Sequence, residues 1–186
     1  MAVNRELDRF LESVERRAFV KARLATGQEQ EALDIVQDAM FKLVKSYGDK
    51  QSNEWGPLFQ RILQSRITDW YRRQAVKNRL FPWLSKSAEN DAYEDQISGA
   101  IDKQQAEPWE HLNGKQLSGV LEKALQSLPL RQQQAFILRQ WDGLSVSETA
   151  QAMDCSQSSV KTHSSRALTS LKQTLQTLGI DAQNVD

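Results

Sequence analysis

The sequence predicts an all-α protein made of two small helical domains joined by a flexible acidic linker, the C-terminal one a helix-turn-helix. Three observations predict it. Apolar residues recur at helical spacing along most of the 186 residues, and the alternation of a half-buried strand is nearly absent. Helix breakers are scarce, with 8 Gly and 4 Pro, and most fall between the periodic stretches. The periodicity fails from about Leu84 to His111, where the sequence turns acidic and rich in Ser, Asn and Gln. A structureless loop of roughly 25 residues is unusual inside a compact domain, so this segment reads as a linker rather than a surface loop. The boundaries are then 1–82, 83–113 and 114–186.

Each helix has its own signal. The first spans about Arg5 to Ala25, with Leu7, Phe10, Leu11, Val14, Ala18 and Leu24 on one stripe, and Thr26-Gly27 breaks it. The second covers about Glu29 to Tyr47, with Leu33, Val36, Met40, Leu43 and Val44 predicted inward. Gly48 to Gly56 reads as a loop. Pro57 suits the first turn of the third helix, where its missing N–H costs nothing. That helix continues through Leu58, Phe59, Ile62, Leu63, Ile67, Trp70 and Tyr71 to about Gln74. The pattern restarts near Lys115, with Leu117, Val120, Leu121, Ala124, Leu125 and Leu128 on one stripe before Pro129. A further helix spans about Arg131 to Trp141, with Phe136, Ile137 and Leu138 inside, and Asp142-Gly143 turns the chain. Ser145-Val-Ser-Glu148 is a capping box opening a short helix that ends near Met153. After Asp154-Cys155-Ser156 the last helix starts at about Gln157, carrying Val160, Ala167, Leu168, Leu171, Leu175 and Leu178 inward.

Composition narrows the function classes. Hydrophobic residues make up 39% and charged residues 26%, which excludes fibrous and disulfide-rich chains. No apolar run approaches the roughly 20 residues of a membrane span, and the first ten residues lack the apolar stretch of a secretory signal. Cys155 is the single cysteine, so no internal disulfide forms. A cytoplasmic protein without membrane insertion is the simplest conclusion. Net charge is zero, 24 basic against 24 acidic residues, but the charges are segregated. Arg61, Arg66, Arg72, Arg73, Lys77 and Arg79 face only Asp69; an acidic segment follows from Glu89 to Glu110; the last helix carries Lys161, Arg166 and Lys172 with no acid between them.

A short helix, a three- or four-residue turn and a longer helix describe a helix-turn-helix over 145–153 and 157–177. Ala150 and Val160 are its matching inward residues. Ser158, Ser159, Lys161, Thr162, Ser165 and Arg166 point outward at the start of the second helix, as a recognition helix in a major groove requires. A structural helical hairpin would give the same periodicity. In the third helix, cations suited to phosphates sit beside Trp70 and Tyr71, whose faces either stack on unpaired bases or continue the apolar stripe. No enzyme site emerges. His111 and His163 lack partners at metal-ligand spacing, Ser145-Val-Ser147 has no activating base, and neither a cofactor nor a metal is expected.

The residues together resemble a family. Ala32-Leu-Asp34-Ile-Val-Gln-Asp38-Ala-Met-Phe41-Lys-Leu looks like the polymerase-binding helix of bacterial sigma factors of the sigma-70 family. Ile62-Leu-Gln-Ser-Arg66-Ile-Thr-Asp69-Trp70-Tyr-Arg72-Arg73 resembles the promoter-melting segment that follows it. Leu128-Pro129, Phe136-Ile-Leu138-Arg139, Gly143-Leu-Ser145-Val-Ser-Glu148-Thr-Ala150 and Val160-Lys161-Thr162-His163-Ser-Ser165-Arg166-Ala167-Leu168 look like the family's fourth region. Two modules and nothing else resemble the extracytoplasmic-function (ECF) subgroup.

The resemblance implies a non-catalytic initiation factor with core RNA polymerase and promoter DNA as partners. Polymerase binding falls to Asp34, Gln37, Asp38 and Phe41, and minus-ten binding to Arg66, Asp69, Trp70, Arg72, Arg73 and Lys77. Minus-thirty-five binding falls to Arg139, Ser158, Ser159, Lys161, Thr162, Ser165 and Arg166, with Arg139 at a phosphate-contact position. Asp154 stands where the family commonly has the glycine of the turn, and Ser164 where it is often apolar. Free in solution, the two domains are expected to be loosely tied, self-occluding, or held by an inhibitor protein, an anti-sigma factor by resemblance. Two rivals stand beside this reading: a helix-turn-helix regulator binding an operator without polymerase, and a helical adaptor that binds only protein.

Overall fold

The computed structural model describes residues 5–80 and 115–177, and every regular element among them is helical. The predicted linker, His111 and Leu178 lie outside the described residues, as does the side chain of Leu117. The elements are α1 (Arg5–Thr26), α2 (Glu29–Tyr47), α3 (Ser52–Leu80), α4 (Lys115–Gln126), α5 (Leu130–Phe136), α6 (Val146–Met153) and α7 (Gln157–Thr177). Helix α5 runs on without a break into a π-helical turn, Ile137–Trp141.

Helices α1 to α3 form one unit. Alanines 18, 22, 25, 32 and 39 are buried and bring the helix backbones close, while Leu43, Phe59, Leu63 and Ile67 fill the space between them. Gly27, at φ 69, makes the left-handed turn that ends α1. Phe10 packs against Trp55 and Phe59 with ring centroids 5.8 and 6.2 Å apart. Helix α3 departs from expectation at both ends. It starts at Ser52 rather than Pro57, so Pro57 lies inside the helix. The buried Trp55 explains this, because its indole Nε1 donates to the Tyr47 carbonyl at 3.2 Å and anchors the extra turn. It also runs past Gln74 to Leu80, through good helix formers that carry no apolar stripe.

Helices α4 to α7 form a second unit. Ala124, Leu125, Leu128, Ile137, Ala167 and Leu171 pack together, and Ala135, Leu138, Ala150, Met153 and Val160 make an adjacent cluster under α6. Four predicted inward residues turn outward: Leu33, Val44, Leu121 and Leu168. The narrow stripes of small residues beside them already fill the contact.

The two units are packed on each other, not loosely tied. Leu24 of α1 inserts into the α4–α7 core, and Leu130 of α5 inserts into the core of α1–α3. Between them runs a polar seam. Lys21 forms a buried ion pair with Asp142 and donates to Gln60 Oε1 at 3.1 Å. The Gln133 amide donates to the Leu24 and Leu125 carbonyls, and the Gln134 amide to the Thr68 hydroxyl at 3.3 Å.

Candidate nucleic-acid and partner interfaces

The helix-turn-helix is held in shape by local chemistry. Ser145 Oγ accepts from the Glu148 amide at 3.1 Å, and the Glu148 carboxylate accepts from the Ser145 amide at 2.7 Å. That hydrogen bonding holds the Glu148 carboxyl below its ordinary range. The turn needs a left-handed residue, and Asp154 supplies it at φ 52, ψ 54. Asparagine and aspartate tolerate this conformation better than other side chains with a Cβ, which accounts for Asp154 in the place of a glycine. The Arg131 guanidinium donates to the Met153 carbonyl at 2.8 Å and the Cys155 amide to the Ala150 carbonyl at 3.0 Å. Ala150 and Val160 are both buried in the contact between α6 and α7, as predicted.

This contact turns one face of α7 to solvent. Ser158, Lys161, Thr162, Ser165 and Arg166 are exposed and Ser159 is half-buried. Ser156 caps the helix by accepting from the Ser159 amide at 3.1 Å, and its hydroxyl lies 2.8 Å from both the Ser158 and Ser159 hydroxyls. Lys172 extends the exposed cationic face, and α7 contains no acid. Arg139 is half-buried, and its guanidinium donates to the Leu144 carbonyl, bracing the π-helical turn against the loop before α6. His163 is half-buried, and the Ser164 hydroxyl is buried with no hydrogen-bond partner. Burial pushes the Cys155 thiol up, the effect of a small packed residue rather than an activated thiolate.

On α3 the predicted minus-ten residues separate into two sets. Arg72, Arg73 and Lys77 are exposed, while Arg66 and Asp69 are half-buried, with Asp69 3.8 Å from Arg72. Trp70 is buried, as is Tyr71, and the two rings meet edge to face at 5.2 Å. The Trp70 indole donates to the Glu31 carboxylate at 2.6 Å and the Tyr71 hydroxyl to the Ala25 carbonyl at 2.7 Å. Burial pushes the Tyr71 phenol far above its usual range, so it stays a neutral donor. In this arrangement Trp70 offers no face to a base: it ties α3 to α2, and the cations share the solvent side of the helix.

On α2 the four predicted partner residues form one exposed surface. Asp34, Gln37, Asp38 and Phe41 all face solvent, and Phe41 is 68% exposed. Leu33 and Val44 join it, so acid and apolar groups alternate along a single face. Lys45 Nζ lies 5.9 Å from the Phe41 ring. Leu33 and Val44 were missed as surface residues, although α2 has more large apolar side chains than one narrow stripe can bury. The seam was missed too. Its readable signal was Lys21, which sits three residues after Ala18 and four before Ala25, on the inward face of α1.

Residues 118–171 match the family model described as Sigma-70, region 4. The chain is 27% identical over 156 residues to an RNA polymerase sigma-E factor of Streptomyces antibioticus, covering 84% of this chain and 77% of that one. It is 27% identical over 166 residues to the RNA polymerase sigma-E factor of Streptomyces avermitilis, covering 89% and 82%. Among solved structures, its fold matches the sigma factor RpoE of Bartonella quintana, crystallised with the anti-sigma factor NepR. That match has a TM-score of 0.64 at 22% identity and covers 91% of this chain and 96% of that one.

Proposed function

We propose that this chain, whose residues 118–171 carry a sigma-70 region 4, is a sigma factor of the ECF type that binds core RNA polymerase and directs promoter recognition. One observation carries the reading: similarity to sigma-E factors runs over 156 residues and so through both helical units, not through the helix-turn-helix alone. A regulator built on a helix-turn-helix and an unrelated sensing domain would share only the second unit.

The surfaces divide the work. The acidic and apolar face of α2 (Asp34, Gln37, Asp38 and Phe41) docks on the polymerase, its carboxylates meeting cations and Phe41 filling an apolar site. The outward residues of α7 enter the major groove of the minus-thirty-five element, with Lys161 and Arg166 long enough to reach base edges or phosphates. Arg72, Arg73 and Lys77 hold the backbone near the minus-ten element. Strand opening follows from linkage: a surface that binds the separated strand more tightly than duplex shifts the equilibrium toward the open form. The division assigns 1–82 to polymerase and minus-ten binding and 114–186 to minus-thirty-five binding. The chain supplies specificity, the polymerase the chemistry, and both work in the cytoplasm. An anti-sigma factor is a further expected partner, as for the Bartonella quintana protein.

The test is run-off transcription by core enzyme with and without the purified chain on a genomic promoter library, paired with gel shifts. Discrete start sites that need both components support the reading. Tight duplex binding by the chain alone, with no effect on the polymerase, would replace it with the operator-binding regulator.

A further inference from the structure

We propose that the buried Lys21–Asp142 ion pair is a clasp holding the two helical units in a closed form that cannot read a promoter, and that breaking it releases the open, active form. This rests on the sigma-factor reading for its consequence, though the closing device itself stands on the geometry.

The closed form is too small for the task. About 140 packed residues give a radius of gyration near 14 Å and a body of roughly 37 Å across. Elements centred about 25 base pairs apart lie roughly 85 Å apart on duplex DNA at about 3.4 Å per pair. With α3 and α7 in one such body, only one element can be engaged. Residues 81–114 reach roughly 110 Å at full extension, so the chain permits an open form that spans both.

The seam has the composition of a contact made to part. Lys21 and Asp142 have side chains only 4% and 7% exposed, and Gln60 and Arg17 are the other groups beside them, Arg17 Nη2 lying 3.9 Å from Asp142. Desolvation of Lys21 outweighs the attraction of Asp142, so its ammonium is held below its ordinary pKa. A buried pair of this kind fixes geometry more than it adds stability, yet removing one partner strands the other. Next to it a cavity of about 10 Å³, room for roughly one water, is lined by Lys21, Gln64, Gln133 and Gln134. The side-chain carbonyls of Gln64 and Gln134 find no partner there. On opening, all of these groups regain water, and the main apolar loss is at Leu24 and Leu130. Closure is therefore specific but shallow, and a partner that grips the units separately can undo it.

The experiment is small-angle scattering on the full chain, with core binding measured in parallel. Asp142→Lys sets a like charge against Lys21 and Arg17. The radius of gyration should rise by about half over wild type as the units separate, and apparent affinity for core should rise by the inverse of the wild-type open fraction. Asp142→Asn, milder toward folding, should move both readouts the same way by less. The double swap Lys21→Glu with Asp142→Lys should return the chain toward compactness. A wild type already extended, or folded Asp142 variants as compact as wild type, overturns the clasp. Extended variants with unchanged core affinity overturn its regulatory role. If no form binds core at all, the sigma reading falls, while the scattering still decides whether the clasp exists.

Discussion

Phe41→Ala separates a docking surface from a structural one. Phe41 is 68% exposed and stands outside the clusters that hold the fold together. A phenylalanine side chain presents about 150–250 Å², so roughly 130 Å² is free to be covered by a partner. At about 25 cal/mol/Å² that area is worth about 3 kcal/mol, and alanine keeps a fraction of it. The expected loss is therefore about 2–3 kcal/mol, or roughly a 30- to 150-fold rise in Kd for core RNA polymerase. The fold should hardly notice. Surface substitutions of this kind stay within about 0.5 kcal/mol, and the contact of Lys45 with the ring is exposed and worth at most about 1 kcal/mol. The assay is titration of labelled chain with core enzyme, alongside thermal unfolding of both variants. A Kd within threefold of wild type would remove Phe41 from the interface, and with it the argument that α2 exposes apolar residues in order to dock.

Three further outcomes are expected. Lys161→Ala should weaken promoter binding and, if the ammonium meets a phosphate, lower the slope of log affinity against log salt by about 0.9; an unchanged affinity and slope would place Lys161 outside the interface. Ser145→Ala should destabilise the helix-turn-helix by about 1 kcal/mol through loss of the cap, read as a lower melting temperature. The same box sets an acid limb. Because the folded pKa of Glu148 lies below its unfolded value, its contribution is complete above the unfolded pKa and is lost as pH falls through the folded one, so Glu148→Gln should flatten stability in that range. Asp154→Ala should cost about 1 kcal/mol at a left-handed position while Asp154→Gly costs nothing; equal losses would mean that the exposed pairing with Arg61, not the backbone, sets the preference at this site.

The helices were legible because each carries its own local record. The capping box at Ser145 and Glu148 and the matched Ala150 and Val160 lie within a few residues of the structure they specify. The start of α3 was not legible, because Gly48 to Pro57 reads as a string of breakers. What overrides it is a tertiary contact, Trp55 reaching back to the Tyr47 carbonyl. Leu168 and Val44 show the limit of periodicity: a stripe fixes a face to within about 100°, and residues at its edge fall on either side. Trp70 shows that residue type alone cannot separate a stacking surface from a core residue with a hydrogen-bonded indole. The seam lies furthest from the sequence. Lys21 and Asp142 are 121 positions apart, and nothing near either one names the other.

This distance bears on how such a chain is controlled. In the closed form the α2 face, the α7 face and the cations of α3 all remain exposed. What closure removes is not any one surface but the separation between them. An inhibitor that worked by covering would have to mask three chemically different faces, one acidic and apolar and two cationic. A clasp between α1 and the turn after α5 needs one buried pair and a polar seam. Single-site contacts would then survive closure, and only binding that demands both units at once would be lost. Short duplexes carrying one element should accordingly bind wild type and Asp142→Lys alike, and the two should differ only on templates that carry both.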